Sequence, residues 1–375
     1  MSATTQSFPE KIIADSWART SSYNSVSDYW LYCDLWRAYY QARQHKRRTV
    51  NQLEFELNLE RNLYQLYLDI KNRCYQLSPS IAFIIYDPKT REIFAASYRD
   101  RIVHHLVYNY IAPYWDKHFI YDSYSCRDNK GIHFGAQRMT YFLRCVTNDF
   151  TSEAWVMKLD ITGYFMNINR QLMWQLVKRC LHSSSLGQPP VVVNLLHYLL
   201  SIIIFADPTQ TAILKGGYSE WRTLPVNKSL FLTKSDCGFP IGNLTSQLFS
   251  NIYLHELDMF VKHQLKIRYY GRYVDDFVLM HQCKKILLHA KKKIARFLQQ
   301  HLHLSLHCGK VYLQLAKYGL TFVGAVIRPH RVFPTQRLRK NRQRFLYLTR
   351  RHHHDDRWEN RWQSYCGLVS AYRHL

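Results

Sequence analysis

The segment IRYYGRYVDDFVLM (267–280) decides the fold, because it sets two adjacent aspartates between two runs of β-forming residues. Asp favours turns and is depleted inside strands, so we predict two short strands joined by a tight turn at Asp275 and Asp276. Adjacent carboxylates among apolar residues repel each other and lose hydration energy unless a cation neutralises them. The segment therefore predicts a cation site at a hairpin tip. The alternative is an ordinary surface turn.

A third aspartate stands in the run AWVMKLDI (154–161). Trp155, Met157 and Leu159 alternate with smaller or polar residues, which predicts a strand with Asp160 on the face opposite the large apolar side chains. Hard divalent ions such as Mg²⁺ take oxygen ligands from a few carboxylates and from substrate phosphates. A strand aspartate that meets a hairpin pair therefore suits phosphoryl transfer with two Mg²⁺ ions, or with Mn²⁺ in their place.

The charge of the chain points to a polyanionic partner. Its 375 residues carry a formal net charge of +24, from 51 Lys and Arg against 27 Asp and Glu, and nucleic acid is the obvious match. The C-terminal segment is rich in arginine, and we predict a helix that contacts duplex phosphates, with a solvated charged face as the alternative. The histidine cluster 352–356 lies in this polar stretch, so we interpret it as surface and not as a metal site. The cations of the segment are Arg337, Arg339, Lys340, Arg342, Arg344, Arg350 and Arg351.

Composition favours a folded cytoplasmic protein. Hydrophobic residues make up 47% of the chain, which excludes global disorder. Nine cysteines occur without a C-x-x-C pair, as expected of free thiols in a reducing compartment. The N-terminus (1–16) lacks the apolar core of a signal peptide, and the longest apolar stretch (191–205) is interrupted by polar residues and too short to span a bilayer. We therefore expect no membrane partner.

Apolar spacing also predicts the order of the elements. Residues from Ser27 onward, and again from Leu53 to Cys74, repeat at about helical spacing. From Ile81 onward the predicted order is strand, helix, helix, hairpin, helix, strand. This order predicts an α+β layer and not a regular βαβ repeat.

An ordered set of motifs resembles the reverse transcriptases of bacteria. The set covers roughly residues 80–330 and includes the Y-x-D-D box, the first catalytic motif, the nucleotide-positioning motif, the primer-grip turn and two fingers motifs. In chain order its members are REIFAASYRDRIVHHL (91–106), DSYSCRDNKGIH (122–133), LDITGYF (159–165), GFPIGNLTSQ (238–247), YVDDF (273–277) and FVG (322–324).

This resemblance implies the fold of a right-hand polymerase, with fingers, a palm built on an RRM-like antiparallel sheet, and a small helical thumb. It implies a helical N-terminal extension at 1–80 and fingers at 81–157. The palm would cover 158–330, with a fingers-like insertion at about 185–235, and a basic thumb would cover 331–375.

The resemblance also assigns the catalytic residues. Asp160 and Asp275 would be the principal metal ligands, with Asp276 as a further ligand and Ile161 within the same metal site. Lys310 stands where the family has a lysine that protonates the pyrophosphate leaving group. The alternative for a single lysine beside a turn is plain surface.

Further residues of the motifs would contact the nucleotide and the primer. Phe165 falls at the steric-gate position, where an aromatic ring excludes a 2′-hydroxyl, or it is a core aromatic. Arg127 and Lys130 would clamp the triphosphate or touch template phosphate. Gly242 would let the backbone approach the nascent base pair. The full nucleotide set is Arg127, Lys130, Phe165, Ile241, Gly242 and Gln247, and the primer-grip set is Phe322, Val323 and Gly324.

The motif around Gly242 departs from the usual family pattern, which has glutamine before the glycine. Here the residue is Ile241, and the variant IGNLTSQ (241–247) resembles the enzymes of diversity-generating retroelements and related anti-phage defence systems. Loss of the glutamine removes a hydrogen-bonding group near the incoming nucleotide. We therefore hypothesise relaxed fidelity opposite template adenine.

The function expected from these observations is RNA-directed DNA synthesis from dNTPs in the bacterial cytoplasm, in a retroelement or a defence system. The resemblance implies a structured non-coding RNA as template or partner, a DNA product, and an accessory protein or a second reverse transcriptase subunit. Three alternatives remain open: a template-independent or protein-primed DNA polymerase of this fold, a non-catalytic RNA-binding subunit, and an RNA-directed RNA polymerase.

Overall fold

The computed structural model describes residues 29–44, 49–86, 89–217, 221–222, 224–349, 362–363 and 367. The chain divides into two compact units, Met1–Gln76 and Leu77–Leu375. The division into extension, fingers, palm and thumb stays a prediction. Arg350, Arg351 and the histidine cluster 352–356 lie outside the described residues.

The first unit is helical where the apolar spacing predicts helices. Its first helix buries Leu31, Leu35 and Ala38, which lie on one side at spacings of four and three. The prediction of one helical run from Leu53 to Cys74 is wrong, because Asn58 adopts φ −127° and ψ 48° and separates two helices. Asparagine side chains compete with helical hydrogen bonds, which favours such a break. The helices are α1 (Tyr29–Arg43), α2 (Val50–Leu57) and α3 (Leu59–Lys71).

In its described residues, the second unit combines helices with three sheets. Its helices are α4 (Tyr98–His118), α5 (Ile132–Val146), α6 (Tyr164–Asn167), α7 (Arg170–Lys178), α8 (Ser183–Leu186), α9 (Pro190–Phe205), α10 (Leu244–Met259), α11 (Lys284–His301) and α12 (Gln336–Thr349). Its strands are β1 (Ile81–Ile85), β2 (Arg91–Ala95), β3 (Trp155–Asp160), β4 (Ile213–Leu214), β5 (Tyr269–Tyr273), β6 (Asp276–His281), β7 (Tyr312–Leu315), β8 (Leu320–Phe322), β9 (Ala325–Arg328) and β10 (Arg331–Pro334). This content is the predicted α+β class.

The central sheet has the strand order β5-β6-β3-β7, and all its neighbours are antiparallel. Its register sets Asp160 opposite Asp276 and Lys158 opposite Val278. Because side chains alternate along a strand, these four residues share one face of the sheet. Val156 and Val278 on this face belong to an apolar cluster with residues of α5, β8 and β9. The carboxylates therefore lie on the face that these elements cover.

The opposite face of the sheet is apolar and buried. Met157, Leu159 and Phe277 on this face have no exposed surface. Helix α11 packs against β3 and β6, and the Nζ of Lys284 lies 4.5 Å from the centre of the Trp155 ring. Since both faces of β3 are covered, the burial of the strand does not alternate cleanly, although the strand itself is confirmed.

The other two sheets have three strands each. Strands β1 and β2 form an antiparallel hairpin, and β4 adds to β1 in parallel. Strands β8, β9 and β10 form an antiparallel meander. In the part of the chain that the structure describes, no helix is long and apolar enough to cross a membrane. The apolar stretch 191–205 lies within α9, which packs against α4 and α7.

Candidate active site

The three aspartates meet at the ends of two neighbouring strands. Asp160 is the last residue of β3, and Asp276 is the first residue of β6, directly opposite in the register. Asp275 precedes it in the two-residue turn between β5 and β6. The predicted hairpin is present, but the prediction of a turn at Asp275 and Asp276 is wrong by one residue. The turn consists of Val274 and Asp275, because Asp276 already pairs with Tyr273 in the strand register. Antiparallel pairing thus places three carboxyl groups from distant parts of the sequence at one end of the sheet.

The hairpin turn is strained at Val274, which has φ +55°. A β-branched residue rarely adopts this left-handed conformation, which costs on the order of 1–3 kcal/mol. The turn is held from below by Arg272, whose Nη1 donates to the carbonyl oxygen of Val274 at 3.0 Å. The strain therefore persists because a buried side chain fixes the turn.

Arg272 is fully buried and uses its whole guanidinium group. It forms a bidentate ion pair with Asp258 of α10, with Nε and Nη2 at 2.8 and 2.7 Å from the two carboxylate oxygens. The Nη groups also donate to Asn251 and to Ser123, each at 3.3 Å. Arg272 thus connects the turn of the aspartate pair with α10 and with the loop 121–131.

Two lysines reach the carboxylates. Lys158 Nζ lies 2.7 Å from Asp276 Oδ2, and Lys310 Nζ donates to Asp160 Oδ2 at 2.8 Å. Lys310 lies close to Asp160 because the segment just before the lysine pairs with the end of β3. In this pairing the amide of His307 donates to the carbonyl of Asp160 at 2.8 Å. The structure therefore brings the predicted Lys310 to the predicted Asp160.

Two of the aspartates, Asp275 and Asp276, have raised pKa values. Burial raises the pKa of Asp275 to about 6, and the negative charges of Asp160 and Asp276 add to the rise. Burial also raises the pKa of Asp276, although the ammonium group of Lys158 opposes this effect. A cation at this place would favour the charged carboxylates and reverse the shift.

The donor set fits a hard divalent ion. Asp160 Oδ1 and Asp276 Oδ1 are buried and have no hydrogen-bond partner within the described residues, and carboxylate oxygens are what Mg²⁺ prefers. Among those residues, no three His, Cys, Asp or Glu side chains are already gathered as one ligand set. Lysines contact the Oδ2 atoms of Asp160 and Asp276. Ile161, the fourth predicted member of the metal site, is buried beside Asp160 and bridges to Leu306.

Phe165 and Ile241, two of the residues predicted to contact the nucleotide, come together in the structure. Both pack against one apolar cluster formed by residues of β1, β2, α6 and the segment before α10. The amide of Phe239 donates to the carbonyl of Phe165 at 2.9 Å and joins the two motifs. Gln247 is exposed in the first turn of α10.

Gly242 is required by a close approach to a strand. Its φ is +132°, and a Cβ there would lie 2.8 Å from the carbonyl oxygen of Phe94 in β2. The amide of Phe94 in turn donates to the carbonyl of Ile241 at 3.0 Å. The approach that needs glycine is therefore to β2, and the expected approach to a base pair stays a prediction.

Arg127 and Lys130 are held inside their own loop. Arg127 is 7% exposed, bonds Asp116 at 2.5 Å and donates to the carbonyl oxygens of Ile120 and Ser123. Lys130 donates to the carbonyl of Tyr121 and lies over its ring. These contacts tie the loop to the end of α4. The predicted triphosphate clamp stays untested.

The predicted primer-grip turn joins β8 to β9. Val323 and Gly324 both have positive φ, 42° and 86°, as tight hairpin turns require. Phe322 is fully buried. Lys158 Nζ donates to the carbonyl of Thr321 at 3.2 Å and so links this hairpin to Asp276.

Three carboxyl groups gather at one end of an antiparallel sheet, and residues 87–327 match the family described as reverse transcriptase (RNA-dependent DNA polymerase). The chain belongs to the reverse transcriptase family. Its fold is the right-hand polymerase fold of that family, and RNA-directed DNA polymerase is the activity of the matched domain.

Individual proteins resemble this reverse transcriptase at low identity. Protein YkfC of Escherichia coli K12 is 24% identical over 314 residues, which are 73% of each chain. Group II intron-encoded protein LtrA of Lactococcus lactis subsp. cremoris is 24% identical over 211 residues, which are 55% of this chain and 29% of LtrA. The structure of apo telomerase from Candida tropicalis aligns with a TM-score of 0.46 and 14% identity, and covers 70% of this chain and 50% of that chain.

Two residues of this reverse transcriptase escaped the sequence reasoning. Lys158 stands two residues before Asp160, so the alternation of β3 already places it on the same face. Arg91 begins β2, and its charge acts on the hydroxyl of Tyr273 beside the aspartate pair, where it opposes the burial that raises the pKa of that tyrosine. No pattern in the sequence predicts this second approach.

Proposed function

We propose that this chain copies an RNA template into cDNA by two-metal nucleotidyl transfer, with Asp160, Ile161, Asp275 and Asp276 around the metal site. The observation that supports this most is the pair of buried carboxylate oxygens, Asp160 Oδ1 and Asp276 Oδ1, without hydrogen-bond partners in the described ranges. Bound Mg²⁺, or Mn²⁺ in its place, supplies activation of the primer 3′-hydroxyl and charge stabilisation at the triphosphate.

The side chains around the carboxylates would position the reactants. Lys310, half exposed beside Asp160, would donate a proton to the pyrophosphate as it leaves. Phe165 would exclude a 2′-hydroxyl, which favours dNTPs over rNTPs. The hairpin turn at Phe322, Val323 and Gly324 would hold the primer terminus, and its link to Asp276 through Lys158 keeps the two in register.

The direct test is DNA synthesis on an RNA template with a DNA primer. We expect Mg²⁺-dependent incorporation of dNTPs in preference to rNTPs, and its loss in Asp275→Asn/Asp276→Asn with RNA binding retained. Asp149→Asn/Glu153→Gln is the matched control, since both side chains are exposed and belong to none of the motifs. Full synthesis by the Asp275/Asp276 variant would contradict the proposal, and RNA binding without synthesis by the wild type would favour the RNA-binding subunit.

The biological setting is part of this proposal. The IGNLTSQ segment (241–247) supports a diversity-generating retroelement or a bacterial anti-phage defence system. In either, the chain would act on a structured RNA in the bacterial cytoplasm, with an accessory protein or a second reverse transcriptase subunit. Sequencing of the DNA that copurifies with the chain separates the two. Copies of a neighbouring template repeat support the retroelement, and copies of a non-coding RNA made during infection support defence.

A further inference from the structure

Helix α11 carries a concentrated positive charge. Its 18 residues include five lysines and one arginine, and no Asp or Glu. The buried side consists of Leu287, Ala290, Ile294 and Leu298. With 3.6 residues per turn, the residues on the opposite side form one line along the helix. This α11 basic stripe consists of the exposed residues Lys285, His289, Lys292, Lys293 and Arg296.

Helix stability does not explain the stripe. Lys292 and Arg296 are four residues apart, and like charges at this spacing destabilise a helix. Lys285 lies in the first turn, where a positive charge opposes the helix dipole. Within the described residues, no carboxylate forms an ion pair with a cation of the stripe. The contacts of the described fold therefore do not account for these charges.

The stripe lies on the far side of the central sheet from the carboxylates. Lys284, at the start of α11, covers the ring of Trp155, and Trp155 shares its face of β3 with Met157 and Leu159. Asp160 points to the other face, where Lys158 contacts the β8–β9 hairpin. The base pairs of a duplex that contact the carboxylates therefore cannot contact the stripe as well, because the sheet lies between the two.

We propose that the α11 basic stripe binds the phosphate backbone of an RNA segment outside the catalytic cleft. From Lys285 to Arg296 the stripe extends roughly 16 Å at 1.5 Å per residue, enough to follow several consecutive phosphates. Lysine and arginine contacts of this kind position an RNA without reading its sequence. The proposal rests on the proposed function only for the choice of RNA as the polyanion.

The test compares two variants of equal charge change in the full-length chain. Lys285→Gln/Lys292→Gln/Lys293→Gln/Arg296→Gln removes the stripe, and glutamine is as good a helix former as lysine. The control is Lys117→Gln/Lys178→Gln/Lys234→Gln/Lys317→Gln, four exposed lysines outside α11. Binding is measured over a salt series with a long structured RNA and with a short RNA–DNA primer–template, and turnover is measured on the latter.

We expect the stripe variant to bind the long RNA at least about tenfold more weakly at ~0.1 M salt. The slope of log affinity against log salt should fall by about 3, since four phosphate contacts are lost. Its affinity and turnover on the short primer–template should stay within about twofold of wild type. The control variant should keep most of the affinity for the long RNA.

Three outcomes overturn the inference. Equal losses in both variants would show that only the total charge matters, and loss on the short primer–template would place the stripe in the cleft. Unchanged RNA affinity, with lost binding to anionic vesicles or to double-stranded DNA, would assign another ligand. A wild type that binds long RNA through the stripe but makes no DNA would contradict the proposed function and leave this inference standing.

Discussion

Lys158 and Lys310 neutralise neighbouring carboxylates but differ in how firmly they are held. Lys310 is 49% exposed and comes from a short loop, whereas Lys158 is 25% exposed and stands on β3 itself. Lys158 also donates to Thr321, so its ammonium group is fixed between the sheet and the β8–β9 hairpin. Lys158, which the sequence did not point to, is therefore the more firmly held of the two lysines beside the carboxylates.

Replacement of Lys158 by methionine should lower the stability of the fold and at the same time raise the affinity of the carboxylates for Mg²⁺. Lys158→Met leaves Asp276 Oδ2 without its partner, which should lower the free energy of unfolding in chelator by about 1 kcal/mol. The loss of a nearby positive charge should also lower the Mg²⁺ concentration for half-maximal synthesis by about fivefold. Urea unfolding and a Mg²⁺ titration measure both quantities, with the exposed Lys178→Met as control. An unchanged Mg²⁺ requirement would contradict this account.

Ile241 provides a second test at the scale of one residue. It packs beside Phe165 on the same apolar cluster and is only partly buried. Ile241→Gln should restore a hydrogen bond worth about 1 kcal/mol, and so reduce misincorporation opposite template adenine about fivefold. Sequencing of products measures the error, with Ile241→Leu as the apolar control. Equal error rates in the Gln and Leu variants would refute the fidelity hypothesis.

At the scale of elements, the catalytic hairpin depends on a buried ion pair. Arg272→Met alone should destabilise the fold by about 3–5 kcal/mol, because Asp258 is left charged and buried. Arg272→Met/Asp258→Leu should recover much of that stability. Synthesis should nevertheless stay at least about tenfold slower, since the carbonyl of Val274 has lost the donor that holds the strained turn.

Urea unfolding and single-turnover synthesis distinguish these two effects of Arg272. Asp258→Leu alone provides the comparison, because it should be as unstable as Arg272→Met. A double variant that recovers both stability and full rate would show that Arg272 only stabilises the fold. Recovered stability with a slow rate would show that it positions the turn of Asp275.

The same elements show what the sequence could predict. The strand of Asp160 and the hairpin of Asp275 and Asp276 are local patterns of alternation and turn residues, and both are confirmed. Contacts between distant segments that no motif contains were not predictable. Lys158 and Thr321 are 163 residues apart, and the internal contacts of Arg127 depend on how its loop meets the end of α4. Helix α9 was not predicted because its apolar residues show no clear period.

At the scale of the whole molecule, low pH should destabilise the fold at the contact between α4 and α10. His104 of α4 is 4% exposed, and its Nδ1 lies 2.8 Å from the Oγ1 of Thr245 in α10. Burial lowers the pKa of His104 to about 3, and the charges of His105 and Arg101 add to this effect. The histidine is therefore neutral in the folded chain across the physiological range.

The sign of the resulting pH dependence follows from linkage. Between pH 6.5 and pH 3 the unfolded chain binds a proton on His104, whereas the folded chain keeps this histidine neutral. The contribution of His104 to the free energy of unfolding is therefore complete above pH 6.5 and decreases as the pH falls below that value. Wild type should lose about 2 kcal/mol through this group between pH 7 and pH 5. His104→Gln keeps a hydrogen-bonding group for Thr245 but cannot titrate. Between pH 7 and pH 5 its free energy of unfolding should therefore fall by about 2 kcal/mol less than that of the wild type. Urea unfolding at a series of pH values measures the difference, with the exposed His263→Gln as control. If His104→Gln and wild type lost stability in parallel, His104 would have to be hydrated or charged in the folded chain, and the junction of α4 with α10 would not be the acid-sensitive point of the molecule.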